Sequence, residues 1–297
     1  METPGPAAAQ AAFASLRSDT DHPSLAARRE RLLSLRAATL AAAEDLARAV
    51  DADFGGRPRA ETLMAEVGLT LASIDWTLRR LGRWMRPEKV RLPFEFWGAR
   101  ARIERVPLGR VGILAPWNYP VQLALVPLVA ALAGGNRVLL KPSEHTPRTA
   151  EVLAALIHRA LPADEVRAVT GGPEVAQALA ALPLDGLLFT GSTATGRKVA
   201  RAAAENLVPT ILELGGKSPA ILLPDADLPA AAASIMAGKL FSGGQTCIAP
   251  DYLLLPRGRM RETVEALRRA ATALHGRPGH PDLAAIARPS DRERLLA

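Results

Sequence analysis

Cysteine is nearly absent from this chain: Cys247 is the only one in 297 residues. An internal disulfide is impossible, and a secreted fold stapled by several such bridges is excluded. Aromatic residues are scarce at 4%. None interleaves with the basic stretches Arg28–Arg29–Arg31 and Arg257–Arg259–Arg261, so the platforms on which nucleic-acid bases stack are missing. Lysine is scarce as well, five of the 37 basic residues, the other thirty-two being arginine. The net charge of +7 follows this arginine bias, which looks like codon composition, and no nucleic-acid partner is expected. No apolar run reaches the roughly 20 residues that a membrane span needs. The longest, Val121–Ala133, is interrupted by Gln122 and Pro127, and no membrane association is expected. Met1-Glu2-Thr3-Pro4 does not lead from a basic region into an apolar run, so no signal peptide is expected and cytoplasm is the implied compartment. No metal site is expected.

What is there is an ordinary globular composition, 48% apolar and 23% charged, with length for about two domains of roughly 100–200 residues each. From Pro6 to Val50, Ala and Leu alternate with Arg, Glu and Asp three and four apart, predicting amphipathic helix broken near Asp19–Pro23. A second helix is expected from Arg59 to Leu81. Phe94–Val106, with aromatic and β-branched residues, reads as a strand or ribbon. From Gly109 the pattern changes to short apolar runs (Val111–Ala115, Arg137–Leu140, Val166–Thr170, Gly186–Thr190). Helical stretches at about 120–133, 147–161, 173–182 and 195–205 separate them. Runs that are apolar nearly throughout, alternating with helices, predict a parallel sheet covered on both faces. This is an α/β, doubly wound, Rossmann-like architecture whose ligands sit beyond the carboxyl ends of the strands. Further on come a short run Ala220–Leu223, a helix Leu228–Phe241 and a strand Tyr252–Leu255. Residues 270–297 read as helical or irregular.

Several short motifs fall at strand ends, and each allows a bland reading beside a chemical one. Gly191-Ser192-Thr193-Ala194-Thr195-Gly196 is either an ordinary strand-to-helix turn or a place where backbone N–H groups approach a phosphate. Lys141 and Glu144 are either a solvated loop pair or a donor and acceptor for ribose hydroxyls. Cys247, in a loop with two glycines shortly before it, is either a small buried hydrophobe or a nucleophile. Glu213 is either an ordinary surface or paired carboxylate or, flanked by Leu212, Leu214 and Gly215-Gly216, a partly buried one suited to general-base work. Asn118 is either a helix cap or an oxyanion donor.

Taken in order, Pro116-Trp117-Asn118-Tyr119-Pro120, Lys141-Pro142-Ser143-Glu144, Phe189-Thr190-Gly191-Ser192-Thr193, Glu213-Leu214-Gly215-Gly216-Lys217-Ser218-Pro219 and Gly244-Gln245-Thr246-Cys247 closely resemble the aldehyde dehydrogenase superfamily. The resemblance covers nearly the whole chain and is densest from Gly109 to Pro256. Gln245–Tyr252 and Trp84-Met85-Arg86-Pro87 resemble the coniferyl aldehyde and fatty or aromatic aldehyde branch.

The resemblance implies NAD(P)-dependent oxidation of a small-molecule aldehyde to an acid. Cys247 would attack the aldehyde carbon and Asn118 would hold the oxyanion. Glu213 would activate water to release the thioester. Lys141 and Glu144 would hold the adenine ribose and Ser192, beside Gly191, the pyrophosphate. Trp117 would line the cofactor cleft. NAD and NADP both remain open, since Glu144 repels a 2′-phosphate that Lys141 could accept. The implied organisation is N-terminal helices over 1–93, an oligomerisation-type β ribbon over 94–108, the dinucleotide-binding domain over 109–213 and the first part of an α/β catalytic domain over 214–297.

Family members continue beyond residue 297, with a Glu-x-Phe-Gly-Pro motif and a C-terminal strand that joins subunits. The catalytic domain is therefore expected to be incomplete, activity to be impaired, and the largely apolar helix Leu228–Phe241 to leave a patch uncovered beside Cys247. A homodimer is implied for the full-length family form. A competing reading is an inactive remnant that binds nucleotide or a full-length subunit. A third is an acylating enzyme using coenzyme A, against which a water-activating Glu213 argues.

Overall fold

The computed structural model describes residues 5–18, 22–275 and 279–297. The reading of Met1–Pro4, and the part of the expected break at residues 19–21, lie outside them. Three helices open the chain: α1 (Pro6–Ser15), α2 (Leu25–Ala41), whose Ser24 cap accepts from the Ala27 N–H at 3.2 Å, and α3 (Ala43–Phe54). The expected second helix is a continuous helical run of α4 (Arg59–Thr62), a π-turn (Leu63–Gly68) and α5 (Leu69–Trp84).

The ribbon is the first correction. It consists of β1 (Glu88–Val90) paired antiparallel with β2 (Ala101–Ile103), and so begins inside the stretch assigned to helices. Of the expected strand or ribbon Phe94–Val106, Ala101–Ile103 is strand and forms one arm of the ribbon. Pro93 starts a 3₁₀ turn over Phe94–Phe96, and Gly98 at φ +93° turns the chain back. Phe94 and Trp97 are left 84% and 88% exposed.

The centre is a five-stranded parallel sheet built from β3 (Arg110–Leu114), β4 (Arg137–Lys141), β5 (Val166–Ala168), β6 (Gly186–Gly191) and β7 (Thr210–Leu214), in the order β5-β4-β3-β6-β7. Helices α6 (Gln122–Gly134), α7 (Pro147–Ala160), α8 (Pro173–Ala180) and α9 (Thr193–Ala204) connect these strands. Alternate residues face opposite layers. Val138 and Leu140 join a core with Leu32, Leu46, Ile74, Leu128 and Leu153, whereas Leu139 joins Phe13, Val175, Leu179 and Val199 on the other face. The sheet is doubly wound, as its apolar strands require.

The winding direction reverses between β3 and β6. The crevice beyond their carboxyl ends is where ligands bind in such sheets. After β7 the chain forms a separate parallel pair, β8 (Ser218–Ile221) with β9 (Pro250–Leu254). Between them run α10 (Leu228–Leu240) and a 3₁₀ turn (Phe241–Gly244). Then follow α11 (Met260–His275) and α12 (Pro289–Leu296). In α10 only Ala232 is buried, so its mostly apolar surface is largely uncovered. No helix among the described residues is long and apolar enough to cross a membrane.

Candidate active site

The loop after β3 carries Pro116-Trp117-Asn118-Tyr119 to the switch point. Buried Tyr119 and Pro120 anchor it, and Trp117 and Asn118 remain half-buried. Trp117 lies 6.2 Å from the Phe54 ring, and the Arg288 guanidinium lies 4.9 Å from its centroid. Asn118 does not cap α6. That end is held by the Glu66 carboxylate, which accepts from the N–H groups of Val121 at 2.6 Å and Gln122 at 3.2 Å. The Asn118 amide instead donates to the Gln245 carbonyl at 2.9 Å, two residues before Cys247. Beside it, the Tyr119 and Thr246 hydroxyls are 2.7 Å apart.

Cys247 is exposed, not a buried hydrophobe. The turn before it winds through left-handed backbone at Ser242, Gly243 and Gly244, with φ of 52°, 60° and 77°. Gly243 and Gly244 adopt this conformation freely, but Ser242 is strained there. Gln245 pins the turn, donating to the carbonyls of Ser242 at 2.8 Å and Ala285 at 2.9 Å and accepting from Ala287 N–H at 3.0 Å.

Glu213 is the second correction. It stands exposed on edge strand β7, not partly buried. Its neighbours Leu212 and Leu214 cannot shield it, because successive side chains of a strand point to opposite faces. Exposed Ile211 shares its face. The loop that follows Glu213 reaches Cys247: a Cβ on Gly216 would lie 3.0 Å from the Cys247 carbonyl oxygen, so any larger residue would have to push that backbone aside by a few tenths of an ångström.

On the cofactor side, Lys141 is no solvated loop residue. Its side chain is 2% exposed, and its ammonium donates to Glu144 at 2.7 Å and to the Pro142 carbonyl at 3.1 Å. Burial acts to raise the Glu144 carboxyl, but Lys141, the backbone N–H of Glu144 itself and His145 together outweigh it and hold that group below the ordinary value. Ser192 caps α9, accepting from Thr195 N–H at 3.2 Å, and its own hydroxyl remains exposed beside Gly191 at the end of β6.

Sequence reasoning missed a buried ionic cluster beneath these loops. Arg57, fully buried at its side chain, pairs with Glu61 at 3.0 Å and with Glu66 at 3.1 Å. It also donates to the Asn118 carbonyl at 2.9 Å. Burial pushes the Glu66 carboxyl up to about 7, against the opposing pull of Arg57 and of the Val121 and Gln122 N–H groups. The only local signal was the i, i+4 spacing of Arg57 and Glu61, which usually marks a surface pair. A cavity of about 740 Å³ lined by Trp76, Leu81, Trp84 and Val126 lies under the ribbon and touches none of the candidate catalytic residues.

The switch-point loop of a doubly wound sheet is thus hydrogen-bonded, through Asn118, to the loop that carries the exposed Cys247. The chain belongs to the aldehyde dehydrogenase family, whose profile matches residues 6–297. A coniferyl aldehyde dehydrogenase of Pseudomonas sp. is 44% identical over 253 residues, covering 85% of this chain and 52% of its own length. A substrate-bound structure of Staphylococcus aureus AldH is 35% identical with a TM-score of 0.89, covering 97% of this chain and 62% of its own. A Mycobacterium tuberculosis aldehyde dehydrogenase complexed with NAD+ is 32% identical with a TM-score of 0.85, covering 99% of this chain and 62% of its own. The chain spans about half the length of the curated relatives it matches.

Proposed function

We propose that this chain carries the cofactor-binding and thiol-bearing parts of an NAD(P)-dependent enzyme oxidising an aromatic or otherwise apolar aldehyde to its acid. The observation that carries the reading is the convergence of three loops: the Asn118 amide on the Gln245 carbonyl, and Gly216 on the backbone of Cys247. In this reading the Cys247 thiolate adds to the aldehyde carbon, and the Asn118 amide with the Cys247 N–H receives the negative charge that develops on oxygen. NAD(P), when bound, accepts the hydride. Lys141 and Glu144, paired at the carboxyl end of β4, suit ribose hydroxyls, and the exposed Ser192 hydroxyl with the first N–H groups of α9 suits a pyrophosphate. Glu213, exposed to solvent, takes a proton from the water that releases the acid. Self-association through the ribbon is part of the same proposal and is supported by exposed Phe94, Phe96 and Trp97.

The test is rapid-mixing measurement of cofactor reduction with an aromatic aldehyde and NAD. Reduction is expected to require Cys247, and Glu213→Gln is expected to retain one stoichiometric burst while losing steady turnover. Reduction persisting in Cys247→Ala, or none with the unsubstituted chain, overturns the reading.

A further inference from the structure

Arg57 and Glu61 touch both halves of the candidate site without belonging to either. Arg57 donates to the Asn118 carbonyl at 2.9 Å, and its guanidinium lies 4.7 Å from the ring centroid of Tyr119. Through Nε it donates to one Glu61 oxygen at 3.0 Å. The other Glu61 oxygen accepts from the Ser242 N–H at 3.1 Å, across 181 residues of sequence. Ser242 is the residue held at φ 52°, where the Cys247 loop begins. Strain of this kind persists only where surrounding contacts fix it, and it gathers at functional sites.

Stability alone accounts poorly for this cluster. One guanidinium faces two carboxylates in the interior, and Arg57 Nη2 is buried with no hydrogen-bond partner among the described residues. Apolar side chains of similar volume fill such space at equal or lower cost. What apolar side chains cannot do is hold two loops at a fixed separation by directed hydrogen bonds.

We infer that Arg57 and Glu61 are positioning residues, a clamp that fixes the Asn118 amide relative to the Cys247 loop so that an oxyanion formed at the thiol meets its donor. The inference rests on the proposed roles of Cys247 and Asn118 and assigns their alignment to a part of the molecule remote in sequence.

The single thiol makes the test direct. p-Nitrophenyl acetate acylates Cys247 through a tetrahedral oxyanion, releasing p-nitrophenolate, whereas iodoacetamide alkylates it by displacement of iodide with no oxyanion. Both reagents need the thiolate, so the ratio of the two rates at one pH cancels its ionisation and reports oxyanion stabilisation. Glu61→Gln keeps the shape but presents one acceptor oxygen where two are used. Arg57→Lys keeps the charge but cannot reach Asn118 and Glu61 together. Each is expected to lower the acylation-to-alkylation ratio by about tenfold, toward that of the urea-denatured chain. Asn118→Ala should lower it similarly, and adding Glu61→Gln to it should lower it no further. Circular dichroism identifies a variant that does not fold, and the other then decides.

A ratio that stays at the unsubstituted value in the folded variants while Asn118→Ala lowers it overturns the clamp and spares the proposed function. So does a parallel fall in both rates, the mark of a merely structural role. A ratio in the unsubstituted chain equal to that of the denatured chain, or indifferent to Asn118→Ala, removes the oxyanion site and the clamp with it.

Discussion

Asn118 and Gln245 are joined by a 2.9 Å hydrogen bond from the side-chain amide of one to the backbone carbonyl of the other. The loop leaving the central sheet and the loop carrying the thiol therefore cannot shift independently. This bond uses one of the two N–H donors of the Asn118 amide and leaves the other to receive an oxyanion.

Lys141 and Glu144 lead to a cofactor preference. Lys141 is buried and paired with Glu144 at 2.7 Å, so its charge is already matched by a carboxylate when a 2′-phosphate arrives. Glu144, held below its ordinary range, is anionic at neutral pH. NAD is expected to bind at least tenfold more tightly than NADP by isothermal titration calorimetry, a difference of about 1.4 kcal/mol. Glu144→Gln should narrow the gap, and equal affinities in the unsubstituted chain would refute this account.

Glu66 predicts a pH dependence of stability. Its carboxyl holds a proton up to about pH 7 in the fold, against an ordinary value of 4.5. The folded chain therefore binds the extra proton, and its stability falls as pH rises from about 4.5 to about 7, by on the order of 3 kcal/mol. The lowered carboxyls of Glu44, Asp75, Glu144 and Glu165 act in the opposite sense, below about pH 4.5. Urea midpoints between pH 5 and 7.5 should fall with pH in the unsubstituted chain and flatten in Glu66→Gln. An unchanged slope would place the titrating group elsewhere.

Beyond β6 several large apolar side chains are open to solvent. Ile248 is 77% exposed, Ile221 64% and Ile211 61%, with Leu223 and Leu254 also open to solvent. The chain of 297 residues is expected to bind a hydrophobic dye such as ANS. Ile221→Ser with Ile248→Ser should at least halve the fluorescence. A dye-negative, monodisperse chain would show that this surface is covered in solution.

Strands β3 to β6 of the central sheet were legible because apolar runs need only local sequence to be seen, whereas β7, exposed at alternate residues, was not read as a strand. Val138, Leu139 and Leu140 are all buried, in two different cores. The motifs singled out Lys141 and Cys247, and the fold buries the first and exposes the second. Glu213 was misjudged because sequence neighbours were taken as spatial neighbours, which a strand forbids. Arg57 was not legible at all. Its partners Asn118 and, through Glu61, Ser242 are set by tertiary contacts, and an arginine before a proline at a helix start ordinarily faces water.

The π-turn Leu63–Gly68 has a further consequence. Its bonds close over five residues instead of four, which adds one residue to the helical count between α4 and α5. A turn closed over five residues absorbs the extra one, so the flanks keep about the angular phase of a regular helix one residue shorter. Arg57 and Glu61 lie upstream, while Glu66 sits in the turn itself. A Cβ on Gly68 would approach the Leu63 carbonyl to 3.1 Å, so the widened turn is also tight at its far end. The widening therefore keeps two parts of one ionic cluster in phase. Wound as regular helix at its present length, this segment would turn Arg57 by about 100° about the axis, away from the loop that carries Asn118.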